Sequence, residues 1–289
     1  MKKFISILMI FIMIFSCSGC KNKNRSANAK TKAQIFNTYT GFEPLKEIHV
    51  TVDEKTNLPN IKIEHAYGVA KDSKPNEISV NSQNFFEEKN YKAITYDRKS
   101  KEKVLYLTFD CGYENGNTEK ILDTLKEKKV PAAFFCTLDD IKSEPEIITR
   151  MIKEGHIVGN HSTTHPSFPE ISRNKMAEEI ITCDNYLRTK FGYTSSFFRF
   201  PKGEYSESAL EVVENLGYTS VFWSLSYADW DTSVQKGKDY AYNKVTERLH
   251  PGAIILLHAV SSDNAKALPE IIDYARTNGY IFKSLNYLN

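Results

Sequence analysis

The sequence predicts an α/β fold in which seven or eight βα units form a distorted barrel, preceded by an irregular N-terminal extension. From residue 101 onward, short apolar runs alternate with amphipathic stretches. Such alternation indicates parallel strands joined by right-handed crossovers. About seven units favour a closed or nearly closed barrel, with an open doubly wound sheet as the alternative. Because no glycine-rich phosphate-binding motif follows the first strand, the nucleotide-binding form of the open sheet is disfavoured.

The individual elements follow from hydrophobic periodicity. Val104 to Phe109 is a continuous apolar run, which is typical of a strand buried on both faces. Further strands are predicted at 132–135, 157–158, 197–200, 219–224, 253–258 and 280–285. Helices are predicted at 118–129, 145–154, 175–190, 206–216, 238–249 and 264–277.

Composition excludes several classes of protein. Hydrophobic residues make up 41% of the 289 residues and charged residues 26%, which is typical of a globular chain. The 38 basic and 36 acidic residues leave a net charge of +2, so electrostatic capture of nucleic acid is not expected. One apolar run alone is long enough to raise a membrane question, which excludes a polytopic membrane protein.

That run forms the predicted signal peptide, residues 1–20. Lys2 and Lys3 precede the apolar stretch Phe4 to Phe15, which is too short for a spanning helix of about 20 residues. The ending Ser18-Gly19-Cys20 resembles a bacterial lipobox, which implies lipidation of Cys20 and a membrane-anchored lipoprotein outside the cytoplasm. Cys17 stands where an aliphatic residue is usual, so either cysteine is a candidate for modification. Secretion without a lipid is the alternative.

Three further regions follow the signal peptide. Residues 21–46 are interpreted as a tether, since the first part of this range is basic and polar. Residues 47–100 are interpreted as an N-terminal extension without assigned chemistry, and residues 101–289 as the main domain. Only Cys111, Cys136 and Cys183 lie beyond the signal region, too few for a disulfide framework.

Reactive side chains recur just after predicted strands. Asp110, His161, Arg199 and His258 each lie at or near a strand end, and Asp229 follows the fifth strand. In a parallel barrel all strand C-termini lie on one face, so these residues are expected to meet in one cleft.

His161 and His165 form the sharpest local signal. Two imidazoles four residues apart in a helical turn point the same way and can bind one cation. No Glu follows His161, so a thermolysin-type protease is disfavoured.

Five motifs together resemble a known family. They are Thr108-Phe109-Asp110-Cys111-Gly112, His161-x-x-x-His165, Arg199-Phe200-Pro201-Lys202-Gly203, Asp229-Trp230 and Leu256-Leu257-His258. Their order and rough spacing are similar to those of the polysaccharide deacetylases, the NodB-homology group or carbohydrate esterase family 4. Within that family the sequence most resembles the spore-cortex N-acetylmuramic acid deacetylases. The resemblance covers residues 101–289 and implies a NodB-type barrel.

The resemblance implies a role for each reactive residue of the site. His161 and His165 would hold a divalent metal, with Zn²⁺ expected. Asp110 would be the general base, oriented by Arg199. His258 would be the general acid, kept protonated by Asp229.

The resemblance also implies a substrate-binding wall. Trp230 and Leu256 would enclose the acetyl methyl group. Tyr113 and Tyr205 are candidate sugar contacts, as are Glu114 and Asn115, although loop capping explains these four equally well.

Three positions depart from the family pattern. Cys111 replaces the usual third metal ligand, an Asp; it would bind as a thiolate or leave a weaker site. Lys202 replaces an aromatic residue and is expected to meet the lactyl carboxylate of N-acetylmuramic acid. Ser226 replaces a frequent acid, so Asp229 would act without that neighbour.

The function implied is metal-assisted removal of acetate from N-acetylmuramic acid in peptidoglycan, leading to muramic δ-lactam in the spore cortex. An N-acetylmuramoyl-L-alanine amidase is the expected functional partner. The expected location is the cortex side or outer membrane of the forespore in a Gram-positive spore-former. One alternative is a deacetylase of N-acetylglucosamine in peptidoglycan or chitin-like oligosaccharide, and another is a catalytically impaired glycan-binding member. A secreted esterase is disfavoured because no G-x-S-x-G is present.

Overall fold

The computed structural model describes residues 37–288. The predicted signal peptide at 1–20 and the tether residues 21–36 lie outside the described residues. No helix within 37–288 combines the length and the apolar character needed to cross a membrane.

From residue 104 onward most strands are followed by a helix, as predicted. Within residues 37–288 the strands are β1 Thr38–Tyr39, β2 Ile63–Glu64, β3 Ala93–Ile94, β4 Val104–Cys111, β5 Ala132–Cys136, β6 Ile157–Asn160, β7 Tyr193–Thr194, β8 Phe197–Phe198, β9 Glu204–Tyr205, β10 Thr219–Val221, β11 Ala253–His258 and β12 Ile281–Phe282. The α-helices of the same part are α1 Glu77–Glu88, α2 Thr118–Lys128, α3 Leu138–Ser143, α4 Pro145–Lys153, α5 Arg173–Phe191, α6 Glu207–Asn215, α7 Lys238–Thr246 and α8 Ser262–Thr277.

The main sheet is parallel and curled. Its strand order is β11-β4-β5-β6-β8-β10-β3, with β12 also paired to β4, and every pairing in it is parallel. A parallel bridge joins Leu225, beyond β10, to Ile255 of β11, and Tyr96, beyond β3, bridges to Ala253. These contacts bring the two ends of the sheet together, which confirms the distorted barrel.

The two faces of β4 enter different layers of the core. Leu105, Leu107 and Phe109 pack in the large cluster that the helices cover. Val104 and Tyr106 pack in a smaller cluster on the inner face of the sheet. Because side chains alternate along a strand, Asp110 belongs to the inner face and Cys111 to the helix-covered face.

The N-terminal extension is less irregular than predicted. Its residues form α1, and β3 adds a parallel strand beside β10, with Ala93 opposite Ser220. Phe86 of α1 is buried and stacks on Phe222 with ring centroids 5.3 Å apart. The rest of the extension has little regular structure, as predicted, and β3 could not be foreseen because a two-residue strand carries no periodicity that a sequence can reveal.

The predicted tether is too long at its C-terminal end. β1 pairs antiparallel with β7, and the backbone N–H of Leu45 donates to the carbonyl of Arg188 at 2.8 Å. Residues 38–45 therefore pack against the main domain. Backbone pairing holds them there, together with Phe42, which packs against the large core cluster.

Candidate active site

Strand ends on one face of the barrel bring reactive side chains into a single cleft. β4 and β11 pair in register, which sets Asp110 beside His258, and His161 directly follows β6. The cleft has a volume of about 570 Å³. Of the residues that the sequence singled out, it is lined by Asp110, Tyr113, His161, His165, Lys202, Ser226, Trp230, Leu256 and His258.

Asp110 is paired with a fully buried arginine. Its Oδ1 accepts from Nη1 of Arg199 at 2.7 Å. Arg199 also donates through Nη2 to the hydroxyl of Thr108 at 2.9 Å and through Nε to the carbonyl of Val221 at 3.0 Å. Burial by itself would raise the pKa of Asp110, but the cationic Arg199 outweighs it, and the net shift is downward. The carboxylate is thus held ionised, with its second oxygen free.

That second oxygen faces the histidine pair. Nε2 of His161 lies 3.6 Å from Oδ2 of Asp110, and the rings of His161 and His165 are 4.8 Å apart in an edge-to-face arrangement. Nδ1 of His161 is 2.9 Å from the carbonyl of Arg199, so this nitrogen carries the proton and Nε2 is left as the acceptor. Burial, and then the proximity of His161, lowers the pKa of His165 to about 4.

The turn that carries the pair differs from the prediction. Residues 161–165 are not helical, because Ser162 and His165 have φ values of 71° and 57°. The buried carboxylate of Glu179 accepts from the backbone N–H groups of Thr163 and Thr164 at 3.1 and 2.7 Å and stabilises the turn. The imidazoles therefore meet through a tight turn instead of helical spacing.

His258 stands on the opposite side of the cleft with its own carboxylate. Nδ1 of His258 donates to Oδ1 of Asp229 at 2.7 Å, and the backbone N–H of His258 donates to Oδ2 at 2.8 Å. Burial opposes protonation of His258, but Asp229 outweighs it and raises the pKa. Asn264 also donates to Oδ2 of Asp229 at 2.5 Å. Sequence reasoning missed Asn264, which no motif distinguishes from an ordinary residue in the first turn of α8.

The predicted substrate wall is partly assembled. Trp230 lies with its ring 5.9 Å from that of His258, and Leu256, Tyr113 and Lys202 also line the cleft. Tyr205 does not, because its side chain is buried against Phe222 with centroids 4.9 Å apart. It was placed wrongly because β9 turns its side chain into the aromatic core.

Glu114 and Asn115 act as loop caps. Oε1 of Glu114 accepts from the backbone N–H groups of Asn117 and Thr118 at 2.7 and 3.3 Å. The side-chain amide of Asn115 donates to the carbonyl of Val260 at 3.1 Å. These contacts favour loop capping over the sugar contacts that the sequence also allowed.

Other lining residues lie outside the five motifs. Trp223, Tyr227 and Val260 contribute from the main domain, and His65 and Tyr67 from the N-terminal extension. The extension had been assigned no chemistry, because nothing in its sequence indicates that it reaches the strand ends.

Comparison with known proteins decides the family. Residues 97–221 match the family described as polysaccharide deacetylase. The chain is 44% identical over 194 residues, 67% of this chain and 74% of the relative, to the peptidoglycan-N-acetylmuramic acid deacetylase PdaA of Bacillus subtilis. The chain belongs to the polysaccharide deacetylase family. It is therefore a hydrolase related to the enzymes of carbohydrate esterase family 4.

Two further comparisons support this membership of the polysaccharide deacetylases. The solved structure of Bacillus subtilis PdaA, a family 4 carbohydrate esterase, superposes with a TM-score of 0.74 at 40% identity over 79% of this chain and 97% of the other. A peptidoglycan-N-acetylglucosamine deacetylase of Bacillus cereus is 34% identical over 185 residues, 62% of this chain and 66% of the relative. The family match ends at residue 221, so Asp229 and His258 lie beyond it.

The deacetylase cleft suits a divalent metal. His161 and His165 are imidazoles whose lowered pKa values favour the neutral form that binds metals. The bond from Nδ1 of His161 to a backbone carbonyl is the kind of support that metal-binding histidines have. Deacetylases of this family are generally metal-dependent, and this donor set fits that requirement.

Cys111 does not belong to this donor set. Its side chain is buried on the other face of β4, where its thiol lies with the thiol of Cys136 and the carboxylate of Asp140, all within 4.8 Å of one another. The hypothesis that Cys111 is a third ligand beside His161 and His165 is therefore wrong in this geometry. The physical reason is strand alternation: if Asp110 faces the cleft, residue 111 faces away.

Proposed function

We propose that this deacetylase hydrolyses the N-acetyl group of N-acetylmuramic acid in peptidoglycan. The observation that carries the proposal is the pairing across one cleft of an ionised carboxylate, Asp110, with an imidazole favoured in its protonated form, His258. Amide hydrolysis needs both, because water must lose a proton and the departing amine must gain one. The substrate is inferred from the relative PdaA, whose name states this reaction.

Asp110 is proposed as the general base. Its Oδ2 is not engaged by Arg199, so it is available to take a proton from water as the oxygen attacks the acetamide carbon. Arg199 fixes the orientation of the carboxylate through Oδ1. A divalent ion bound by His161 and His165 would supply Lewis acidity toward the carbonyl and the water. We propose Zn²⁺ because imidazole nitrogens suit it better than they suit Mg²⁺.

His258 is proposed as the general acid. As the C–N bond breaks, its Nε2 proton passes to the nitrogen, and the products are acetate and a free amine. Asp229 holds Nδ1, which aims Nε2 at the cleft and stabilises the charged ring. Trp230 and Leu256 provide apolar surface for the acetyl methyl group.

Lys202 is proposed to select the muramic sugar. It lies on the cleft wall, and its ammonium group would complement the lactyl carboxylate, which N-acetylglucosamine lacks. Replacing Lys202 by Met is expected to raise KM for muramic-containing glycan about fivefold and to leave KM for chitohexaose unchanged. Lys202→Arg should keep the preference. An unchanged ratio in Lys202→Met would contradict this role.

The overall proposal is tested by acetate release from the purified protein. Peptide-free glycan, peptide-bearing glycan and chitohexaose are compared after chelation, with Zn²⁺ or Mg²⁺ added back. Release from glycan with Zn²⁺, and little from chitohexaose, is expected. Preferential release from chitohexaose would favour the N-acetylglucosamine alternative, and release from none would favour a catalytically impaired glycan-binding member.

The biological setting follows from the product. Once the stem peptide is removed, the freed 2-amino group and the lactyl carboxylate of the same sugar can close to muramic δ-lactam. We therefore propose action on the spore cortex together with an N-acetylmuramoyl-L-alanine amidase, outside the cytoplasm on the forespore. Anchoring is proposed through a lipid on Cys20 or Cys17. Lipid labelling of Cys20→Ala and Cys17→Ala would identify the modified residue.

A further inference from the structure

A short segment of the N-terminal extension forms part of the cleft. Residues 65–76, here called the cleft arm, run from the end of β2 to the start of α1 and carry His65, Ala66 and Tyr67 on the cleft wall. The family match begins only at residue 97, so the cleft arm lies outside it. Neither the motifs nor the proposed mechanism uses this segment.

The cleft arm is held firmly at its first residue. β2 pairs antiparallel with β9, and the N–H of His65 donates to the carbonyl of Gly203 at 2.9 Å. His65 is buried, and burial lowers its pKa to about 4, so the ring is neutral. Its Nε2 donates to the carbonyl of Trp223 at 2.8 Å, and its Nδ1 accepts from the hydroxyl of Ser82 at 3.2 Å.

The far end is held as firmly. The side-chain amide of Asn76 donates to the carbonyl of Ser224 at 2.7 Å, while its Oδ1 caps α1 by accepting from the N–H of Ser79 at 3.0 Å. A Cβ on Gly68 would lie 2.3 Å from Oδ1 of Asn76, so only glycine fits this close approach. The two ends of the cleft arm are therefore held, and Gly68, the residue after Tyr67, is packed against Asn76.

Between these anchors the cleft arm presents an aromatic ring to solvent. Tyr67 is 44% exposed although it lines the cleft, and the same is true of Tyr113 at 53% and Trp230 at 51%. The three rings come from the extension, from the loop after β4 and from the segment after Asp229. Exposed aromatic side chains gathered at one cleft are characteristic of a ligand site.

We propose that Tyr67 forms a subsite for a sugar ring adjacent to the one that is deacetylated. The C–H faces of pyranose rings pack on aromatic faces, and a linear amino-sugar strand extends beyond the reacting residue on both sides. A ring on a rigid support loses little conformational freedom when it binds. This subsite rests on the proposed action on peptidoglycan glycan.

The test compares glycan fragments of increasing length. With Tyr67→Ala, KM is expected to rise about fivefold for long fragments and little for the shortest fragment that is deacetylated, with kcat unchanged. Tyr67→Phe should behave as the parent protein, because stacking needs the ring and not the hydroxyl. Thermal unfolding of each variant checks that the fold is retained, which the exposure of Tyr67 leads us to expect.

Two matched controls isolate the effect. Val69→Ala removes a 50% exposed side chain of the same cleft arm that does not line the cleft, and Tyr39→Ala removes a 46% exposed tyrosine from β1. Both should leave KM unchanged at every length. An equal rise in KM at all lengths in Tyr67→Ala, no rise, or the same rise in Val69→Ala would overturn the subsite.

The two proposals fail in different ways. If the parent protein deacetylates glycan but Tyr67→Ala shows no length-dependent change, only the subsite is overturned. If the parent protein releases no acetate from any fragment, the proposed function fails. Calorimetric binding of the same fragments then still decides whether Tyr67 contributes to affinity.

Discussion

Asp110 and Asp229 are both buried carboxylates beside the same cleft, but Asp110 faces a guanidinium and Asp229 faces an imidazole. Arginine does not lose its proton at ordinary pH, so the cation that pairs with Oδ1 of Asp110 is permanent. Histidine does, so the pair of Asp229 and His258 responds to pH. The difference teaches that one side of the cleft holds a fixed ion pair and the other a pair whose charge changes with pH.

The largest effect is expected from replacing Asp110, the carboxylate that pairs with Arg199. Asp110→Asn keeps the shape of the side chain but removes the proposed base, and kcat is expected to fall about 10³-fold in acetate release. Asp231→Asn is the control, since Asp231 is exposed and its carboxylate contacts Ser233 of its own loop. A loss of less than tenfold in Asp110→Asn would remove Asp110 from the role of base.

Breaking the same pair at Arg199 should reduce stability. Arg199→Met leaves Asp110 buried without its cation, and the free energy of unfolding is expected to fall by about 3 kcal/mol in denaturant titration. The exposed pair of Arg98 and Glu87 provides the contrast, with Arg98→Met expected to cost under about 1 kcal/mol. Similar losses of unfolding free energy in the two variants would show that burial does not increase the contribution of Arg199 to stability.

The pair of Asp229 and His258 should determine how activity depends on pH. Asp229 raises the pKa of His258, so activity that needs protonated His258 persists until pH rises through that raised value. Asp229→Asn lowers the pKa, so the alkaline limb of kcat is expected to move to lower pH, with about a tenfold loss at neutral pH. An alkaline limb that stays in place would assign it to another group.

The smallest effect is expected from replacing Cys111, the residue after Asp110. Because Cys111 faces the helix-covered core, Cys111→Ser should leave Zn²⁺ affinity unchanged within about twofold, whereas His165→Ala should weaken it more than about 100-fold. Competition with a chromogenic chelator measures both. A large loss of affinity in Cys111→Ser would mean that the thiol reaches the histidine pair after all.

Much of the barrel was predictable because its strands are long or fully apolar. β4 and β11 were identified from hydrophobic runs, and the prediction that Asp110 and His258 meet in one cleft followed from parallel topology; that their strands are neighbours is seen only in the structure. β3 and the cleft arm were not predictable. Their positions depend on short backbone pairings and on the side chains of His65 and Asn76, which have no sequence periodicity.

The candidate site divides in the same way. Motif order indicated Asp110, the histidine pair, Arg199, Asp229 and His258. Three details required the structure: the non-helical turn at 161–165, the support that Asn264 gives to Asp229, and the burial of Tyr205.

The sequence by itself determined the family, the βα order and the identity of the reactive side chains, because these depend on residue type and on spacing along the chain. Only the tertiary structure decided which way each side chain points. It turned Cys111 away from His161 and His165 and brought Tyr67 into the cleft. The physical reason is that orientation depends on strand pairing and packing between residues far apart in the chain, which local pattern does not encode.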